Sequence, residues 1–283
     1  MLRFIELRCM KRVLQLYRFV NIMSLDVALG AMTGAAFFGS IFKTTLLPQG
    51  LVALGLTVWI IYSVDHLLDA YKLKILAAAE RHQFHQKHFR LIAILVVLAT
   101  LTDITLILYV RPNVLNAGLL LAGVVVFYLL FHRWMYPLKE IAGAILYSGG
   151  VWLPVLALHQ GPVEDPEAYL MIPFFITALI NLILFSWFGY AQDLRDGHLS
   201  LVIFIGKPTS RVVLIFLFVT QFIALISLMM FTTYRVETGV ILAMNVVLLF
   251  MLLLPDFFDK NDLYRVAGDV IFLFPLPYLF FHA

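Results

Sequence analysis

Nine apolar stretches, each about as long as the hydrocarbon core of a bilayer is thick, constrain this chain more than any other feature. A membrane-spanning helix needs about 20 mainly apolar residues, and its backbone polar groups must be satisfied within the helix itself. The sequence therefore predicts an all-α membrane protein with nine transmembrane helices. Because the last stretch contains Pro275 and Pro277, we expect its helix to be kinked. The stretches are residues 19–42, 49–70, 91–110, 113–131, 141–159, 170–190, 212–233, 237–254 and 266–282.

Composition agrees with a membrane location. Hydrophobic residues make up 63% of the chain and charged residues 13%, whereas soluble domains contain about 45–50% and about 25%. The single cysteine, Cys9, excludes an internal disulfide framework and a cysteine-based metal cluster. The net charge of +3 is small, so the position of the charges matters more than their sum. We expect membrane lipids as partners and no nucleic acid.

Lysine and arginine are distributed unevenly between the two sides of the predicted bundle. With nine helices, one side receives 17 of these residues and the other receives 3. The positive-inside rule then places the N-terminus in the cytoplasm and the C-terminus outside, in a cell (inner) membrane. Residues 1–18 contain five of these positive charges interleaved with apolar residues. This pattern predicts a basic amphipathic segment on the cytoplasmic membrane surface, followed by a transmembrane domain of residues 19–283.

Two carboxylates, Asp65 and Asp69, lie at the end of the second apolar stretch. A spacing of four residues places them on one face of a helix, one turn apart, where like charges repel. The C-terminal end of a helix also disfavours anions, because the helix dipole is negative there. A bound cation would offset both costs, so the pair predicts a metal site.

A second acidic pair, Asp193 and Asp196, follows the sixth apolar stretch. A tyrosine precedes the first aspartate of each pair by three residues, Tyr62 in one case and Tyr190 in the other. The predicted topology places both pairs at the same membrane face. The match is consistent with a four-helix repeat used twice, with one helix left over. The alternative is that these acids only balance nearby basic residues in water.

Four carboxylates at one face form a hard oxygen-ligand set that suits Mg²⁺. Sites of this kind use a few carboxylates and take their other ligands from water and substrate phosphates. Basic side chains in the same loops could bind phosphate oxygens. They are Lys72, Arg133, Lys139, Arg195, Lys207 and Arg211.

The two acidic motifs, Asp65-x-x-x-Asp69 and Asp193-Leu194-Arg195-Asp196-Gly197, resemble the aspartate-rich motifs of the UbiA superfamily of intramembrane prenyltransferases. Three further segments resemble family segments and occur in the expected order along the whole chain. They are Tyr17-Arg18-Phe19-Val20-Asn21, Met135-Tyr136-Pro137-Leu138-Lys139 and residues 200–206. The chain departs from the family pattern at Ile61, where an asparagine is usual, and at Ser200, where a further aspartate is common.

The resemblance implies a UbiA-type bundle that transfers a prenyl or polyprenyl group from a prenyl diphosphate to a lipophilic or aromatic acceptor. It implies Mg²⁺ bound by the catalytic residues Asp65, Asp69, Asp193 and Asp196. Ring faces at Tyr62, Trp187 or Tyr190 could shield the allylic cation, although such residues also occur at any membrane interface. The implied diphosphate-binding residues are Lys72, Lys139, Arg195 and Lys207, and the implied cavity residues are Asn21, Asp26, Tyr62 and Tyr190.

Three acids inside apolar stretches, Asp26, Asp103 and Asp269, keep two other classes open. Intramembrane carboxylates are usually paired or functional, so a transporter with an ion path is one alternative, and a catalytically degenerate UbiA-like protein is another. Transporters usually place such groups near the bilayer midplane, whereas here the acids concentrate at one face. Asp26 and Asp269 could border one cavity or form structural hydrogen bonds, and we expect Asp103 to be structural. The histidines at 82, 85 and 88 predict a solvated interfacial helix, with a position over the mouth of the active site as the alternative, because this segment follows Asp69.

Overall fold

The computed structural model describes residues 16–72, 80–131, 137–161, 165–197 and 199–282, and these ranges contain helices, turns and bends but no strand. The predicted basic segment 1–18 lies almost entirely outside them. In chain order the helices are α1 (Leu16–Ile22), α2 (Leu25–Ile41), α3 (Pro48–Lys72), α4 (Glu80–Lys87), α5 (Phe89–Ile107), α6 (Pro112–Phe131), α7 (Lys139–Leu158), α8 (Asp165–Phe188), α9 (Tyr190–Asp196), α10 (Leu201–Ile205), α11 (Lys207–Phe231), α12 (Arg235–Leu253), α13 (Pro255–Phe258), α14 (Leu263–Val270) and α15 (Pro275–His282).

The spans agree with the hydropathy pattern. Among the described residues, eight helical segments are long and apolar enough to cross a membrane, and a ninth is present if α1 and α2 form one bent span. The last span, Lys260–Phe281, combines α14 and α15 with two short 3-10 helices. Pro275 begins α15 just after the second of these, at the place where the sequence predicted a kink. The chain is an all-α integral membrane protein.

The first span is not the single continuous helix that was predicted for residues 19–42. The chain breaks between α1 and α2, whose axes differ in direction by 79°. Ser24 takes a left-handed backbone conformation with φ of 55°, and its N–H donates to the Asn21 carbonyl at 3.0 Å. Such a conformation costs about 1–3 kcal/mol in a residue other than glycine. A side-chain hydrogen bond from Asn21 to Asp26 across the break offsets part of that cost.

The centre of the bundle lies around α8. This helix packs against α7, α11 and α12, while α2 packs against α3, α7 and α15. Phe174 of α8 meets Phe38 of α2 edge to face, with ring centroids 5.2 Å apart. Half of the apolar window of α8 is buried, against 11% for α5 and 6% for α6. The bundle therefore has a packed half around α8 and a half that presents α5 and α6 to lipid.

Side-chain amides strengthen the packed half. Asn245 of α12 donates to Thr177 Oγ1 of α8 at 2.8 Å. Gln221 of α11 donates to the same oxygen at 3.2 Å and to the Pro173 carbonyl at 2.7 Å. Interhelical bonds of this kind contribute about 0.6 kcal/mol each within a bilayer. Thr177 therefore joins three spans through one hydroxyl group.

The helix order is compatible with the predicted repeat. α2 packs on α3 as α7 packs on α8, and α3 packs on α5 as α8 packs on α11. Short helices also follow both α3 and α8 at one end of the bundle, namely α4 in the first case and α9 and α10 in the second. The four-helix repeat remains a hypothesis that these adjacencies support.

Candidate functional site

A cavity of about 300 Å³ lies between α3, α6, α7 and α8. On α7 its wall extends from Lys139 to Gly150, which is about 16 Å at 1.5 Å per residue. Most of the wall is apolar, with Leu54 and Val58 from α3 and Leu121 from α6. These residues lie away from the membrane face at which α3 and α8 end, which we call the motif face.

Charged side chains line the end of the cavity at the motif face. Asp65 and Asp69 come from the last turns of α3, and Asp193 comes from α9, just after α8. Lys139 is the first residue of α7, and Arg265 lies in the first turn of α14. The cavity therefore has a charged end at the motif face and an apolar end within the bundle.

The structure brings five of the predicted site residues to this cavity. They are Tyr62, Asp65, Asp69, Lys139 and Asp193. The convergence of the two acidic motifs on one space is the main feature that the sequence predicted. Ile61, the position at which an asparagine was expected, also lines the cavity. The side chain of Lys72 lies outside the described part of the structure.

Other predicted residues do not line the cavity. Arg195 is exposed on α9, and Asp196 is half-buried three residues beyond Asp193. The ammonium of Lys207 lies 4.2 Å from the ring centroid of Trp187, whose Nε1 donates to the Lys207 carbonyl at 3.2 Å. Tyr190 packs against the central apolar core. Tyr190, Arg195 and Asp196 lie on a helix of seven residues, which directs successive side chains to different sides, and Lys207 lies at the start of α11.

The carboxylates at the charged end of the cavity suit a magnesium ion that is also bound by phosphate and water. Within the described ranges, no three carboxylate, imidazole or thiol side chains are close enough to share one metal ion. A site in which protein carboxylates alone surround Mg²⁺ is therefore not preformed there. Mg²⁺ usually binds through one or two carboxylates and takes its other ligands from phosphates and water. Asp65, Asp69 and Asp193 around one cavity fit that second arrangement.

A buried network of five side chains lies beside the cavity. Asn21 donates through Nδ2 to Asp26 Oδ2 at 2.6 Å and to Asp269 Oδ2 at 2.7 Å. Arg81 donates to the Asn21 carbonyl at 2.8 Å and lies 3.5 Å from Asp269 Oδ2. Tyr17 donates to Asp26 Oδ2 at 3.3 Å. The network ties α4 to the first and last spans.

The network changes the roles expected for two acids and one amide. Asn21 and Asp26 were predicted to border the substrate cavity, and Asp269 to share it, but none of them lines it. Their exposed fractions are between 0% and 5%, and that of Arg81 is 8%. Burial lowers the pKa of the Arg81 guanidinium from its ordinary value, and the charge of Asp269 opposes that shift. The charges therefore compensate one another in the protein interior.

The histidines after the first motif are less exposed than predicted. His85 is 1% exposed, and its Nδ1 donates to the Arg81 carbonyl at 2.8 Å. Burial lowers the pKa of His85 from its ordinary value, and that hydrogen bond opposes the shift. His66 of α3 and His82 of α4 line the cavity, with ring centroids 5.7 Å apart. The prediction of a solvated helix is wrong for His85, because Arg81 holds α4 against the bundle.

Sequence reasoning missed Glu140, which organises the segment after the second motif. Glu140 is 3% exposed, lines the cavity, and accepts from Ser186 Oγ at 2.7 Å and from the Leu201 N–H at 3.1 Å. Ser200 is fully buried, and its hydroxyl accepts from the Ile203 N–H at 3.2 Å. Ser200 thus caps α10, where family members often have an acid. The sequence pattern pointed to Lys139, the neighbour of Glu140. The role of Glu140 itself depends on contacts with residues far along the chain, such as Leu201.

Asp103 has the structural role expected of it. The Thr57 hydroxyl of α3 donates to Asp103 Oδ2 of α5 at 2.8 Å. Asp103 is 8% exposed although α5 is mostly exposed to lipid. Its carboxylate therefore joins two neighbouring spans.

The fold and the cavity define an all-α integral membrane protein with a charged site at one membrane face. No family model and no curated protein matches the sequence. Two solved structures have a similar fold. One is a UbiA homologue from Archaeoglobus fulgidus bound to GPP and Mg²⁺, with a TM-score of 0.64, 11% identity, and coverage of 92% of this chain and 99% of that chain.

The other is a UbiA homologue from Archaeoglobus fulgidus bound to DMAPP and Mg²⁺. It has a TM-score of 0.61 and 11% identity, and the match covers 92% of this chain and 98% of that chain. The chain therefore has the fold of the UbiA homologues along almost its whole length. The resemblance seen in the sequence is confirmed at the level of the fold.

Proposed function

We propose that this protein transfers a prenyl or polyprenyl group from a prenyl diphosphate to a lipophilic or aromatic acceptor within the membrane. The observation that carries the proposal is the cavity, which has Asp65, Asp69 and Asp193 at one end and an apolar wall beyond them. A prenyl diphosphate has the same division between a charged head and a hydrocarbon tail. Structures with this fold bind DMAPP or GPP together with Mg²⁺, which supports the proposal.

The charged end requires a cation before it can bind a diphosphate. Asp65, Asp69 and Asp193 would repel the diphosphate oxygens, and Lys139 and Arg265 together do not balance three carboxylates and a diphosphate. We propose that these aspartates bind Mg²⁺, with Asp196 as a further predicted ligand. Mg²⁺ bound there would neutralise the negative charge that develops on the leaving diphosphate.

The apolar wall would bind the prenyl chain and keep water away from it. When the C–O bond of the donor breaks, its electron pair leaves with the diphosphate and an allylic cation remains. The aromatic rings of Tyr62 and Phe185 line the cavity and can stabilise a cation over their faces. The acceptor then forms a bond to the cationic carbon and loses a proton.

Transfer of label from radioactive GPP into a lipid extract, catalysed by the purified protein, tests this function. We expect EDTA to abolish transfer and added Mg²⁺ to restore it. Asp65→Ala and Asp193→Ala should each lower transfer about 10²-fold or more, which is typical for loss of a group that stabilises developing charge. Asp103→Asn is the matched control, because an amide oxygen can still accept from Thr57.

Three results would contradict the proposal. Transfer that is insensitive to chelation, or to both aspartate variants, would exclude the magnesium site. Substrate flux in sealed vesicles without a covalent product would favour a transporter. Absence of prenyl diphosphate binding at every Mg²⁺ concentration would favour a catalytically degenerate protein.

We also infer that the motif face is cytoplasmic, because 17 lysine and arginine residues fall on that side and 3 on the other. Cys9, the single cysteine, lies in the N-terminal segment on the same predicted side. A membrane-impermeant thiol reagent should therefore label Cys9 only after cells are permeabilised. Labelling in intact cells would reverse the orientation.

A further inference from the structure

The cations at the charged end of the cavity differ from those that the sequence predicted. Arg195 is exposed to the outside of the bundle, and the ammonium of Lys207 lies over the Trp187 ring. Lys139 and Arg265 line the cavity instead. Arg265 belongs to the last span, and neither acidic motif is near it in the sequence. Arg265 therefore brings a positive charge to the cavity from a span that carries neither acidic motif.

The guanidinium of Arg265 is held by one hydrogen bond and lies near two aromatic rings, with its central carbon 6.0 Å from the centroid of the Phe185 ring. Its Nε donates to the Tyr264 hydroxyl at 3.1 Å, and its central carbon lies 5.2 Å from the centroid of the Tyr264 ring. That ring stacks on Phe188 at 4.7 Å, with an angle of 9° between the planes. Tyr264 is 1% exposed, so its hydroxyl is a fixed acceptor. Within the described residues this is the one hydrogen bond of the Arg265 side chain. Both Nη groups remain for a ligand, in the field of Asp262 and Asp193.

The turn before α14 is strained in a way that sets the direction of this helix. Asn261 and Asp262 are consecutive residues with φ of 55° and 53°. Left-handed conformations are unfavourable in residues other than glycine, and they persist where the surrounding structure requires them. Because α14 begins directly after this turn, the turn determines where Arg265 enters the cavity wall.

We infer that Arg265 binds the diphosphate of the prenyl donor from the last span, at the same end of the cavity as the carboxylates of the two motifs. This inference rests on the proposed function. A guanidinium presents its N–H groups in a planar fork that matches two phosphate oxygens at once. Fixing Nε to Tyr264 orders the fork before the ligand arrives, which reduces the entropic cost of binding. Arg265 thus supplies the positive charge that Arg195 and Lys207 do not bring to the cavity.

Equilibrium binding of GPP with Mg²⁺ and of geraniol to the purified protein in detergent tests this role. Geraniol shares the hydrocarbon chain of GPP but has no diphosphate. Arg265→Gln should weaken GPP binding about 10- to 150-fold, the range expected when a hydrogen bond to a charged group is lost, and should leave geraniol binding unchanged. Arg265→Lys keeps the charge without the fork and should fall between Gln and wild type. Arg235→Gln, an exposed arginine at the opposite face, is the matched control.

The outcomes separate this inference from the proposed function. If wild-type protein binds GPP and Arg265→Gln binds it equally well, the inference is wrong and the proposed function stands. If wild-type protein binds neither GPP nor inorganic pyrophosphate with Mg²⁺, both are wrong. Equal weakening of GPP and geraniol would show that Arg265 only maintains the cavity wall, which also overturns the inference.

A second variant covers the case in which Arg265→Gln does not fold. Tyr264→Phe removes the acceptor for Nε but keeps the charge and the aromatic stack. We expect GPP binding to weaken about 3- to 10-fold, since one neutral hydrogen bond no longer orders the fork, while geraniol binding is unchanged. Unchanged affinity for GPP in this variant would contradict the ordering role of Tyr264 and with it the proposed geometry.

Discussion

Acids at the end of α3 and just after α8 line the same cavity, yet the segments that follow these two helices are held by opposite charges. After α3, the cation Arg81 of α4 is buried against Asn21 and Asp269. After α8, the anion Glu140 accepts the Leu201 N–H at the start of α10. We call these the first end and the second end.

The two ends share one structural rule. Asp26 is the second residue of α2 and Glu140 is the second residue of α7. Asp26, at the start of the first span, holds α4 after the second span through Asn21. Glu140, at the start of the fifth span, holds α10 after the sixth span directly. The first and fifth spans would be equivalent in a four-helix repeat, so the comparison adds support to that hypothesis.

The difference between the ends lies in what each one needs. At the first end a guanidinium and two carboxylates are buried away from water. Burial of such charged groups lowers stability unless all their partners are present. The second end uses a single carboxylate with a hydroxyl and a backbone N–H as donors. We therefore expect the first end to be more sensitive to loss of one partner, and the following substitutions test that expectation from the largest effect to the smallest.

Arg81→Met should have the largest effect. It leaves Asp26 and Asp269 buried without a counter-charge, and breaking a buried ion pair in this way costs about 3–5 kcal/mol of stability. Thermal unfolding of the purified protein in detergent measures the loss. Arg81→Met combined with Asp269→Asn should recover part of it, because one of the two unpaired charges is removed. A double variant less stable than the single one would show that the ion pair is not what holds α4.

Asp193→Ala and Asp196→Ala compare two positions within the second end. Asp193 lines the cavity and Asp196 does not, so we expect kcat/KM to fall about 10²-fold or more for Asp193→Ala. The loss for Asp196→Ala should be at least tenfold smaller. Steady-state transfer from labelled GPP checks both. Equal losses would instead support the four-carboxylate site that the sequence pattern predicts.

Glu140→Ala should cost about 1–3 kcal/mol, because the Leu201 N–H and the Ser186 hydroxyl lose a charged acceptor. Glu140→Gln keeps a carbonyl oxygen and should cost less. The same thermal unfolding experiment as for Arg81→Met gives a direct comparison of the ends. If Glu140→Ala proves more destabilising than Arg81→Met, the proposed difference between them is wrong.

Ile61→Asn should have the smallest effect. It places an amide in the cavity wall one turn before Asp65, at the position where an asparagine was expected. An added oxygen near the carboxylates should lower the Mg²⁺ concentration needed for half-maximal transfer by a few-fold, since a neutral oxygen is a weak ligand. Titration of activity with Mg²⁺ measures this shift. An increased requirement would place residue 61 away from the metal.

The features that the sequence predicted correctly depend on local pattern. Hydropathy located the spans because lipid imposes a length on each helix, and alternating topology then brought Asp65 and Asp193 to one face. The break at Ser24 escaped prediction because an apolar window averages over the three polar residues around it, Asn21, Ser24 and Asp26. The burial of Arg81 and the positions of Glu140 and Arg265 depend on contacts between distant segments. Asn21 and Asp269, for example, are 248 residues apart.

That distance also has a consequence for the order of synthesis. Arg81 is made early, but its partner Asp269 lies 188 residues further along the chain. At about 5–20 residues per second, a ribosome needs about 10 to 40 s to supply it. During that interval the first motif is already in the bilayer, while the helix that follows it lacks its counter-ion. The first half of the charged site can therefore be completed only when the last span is inserted, so a truncated chain would contain both motifs without a finished site.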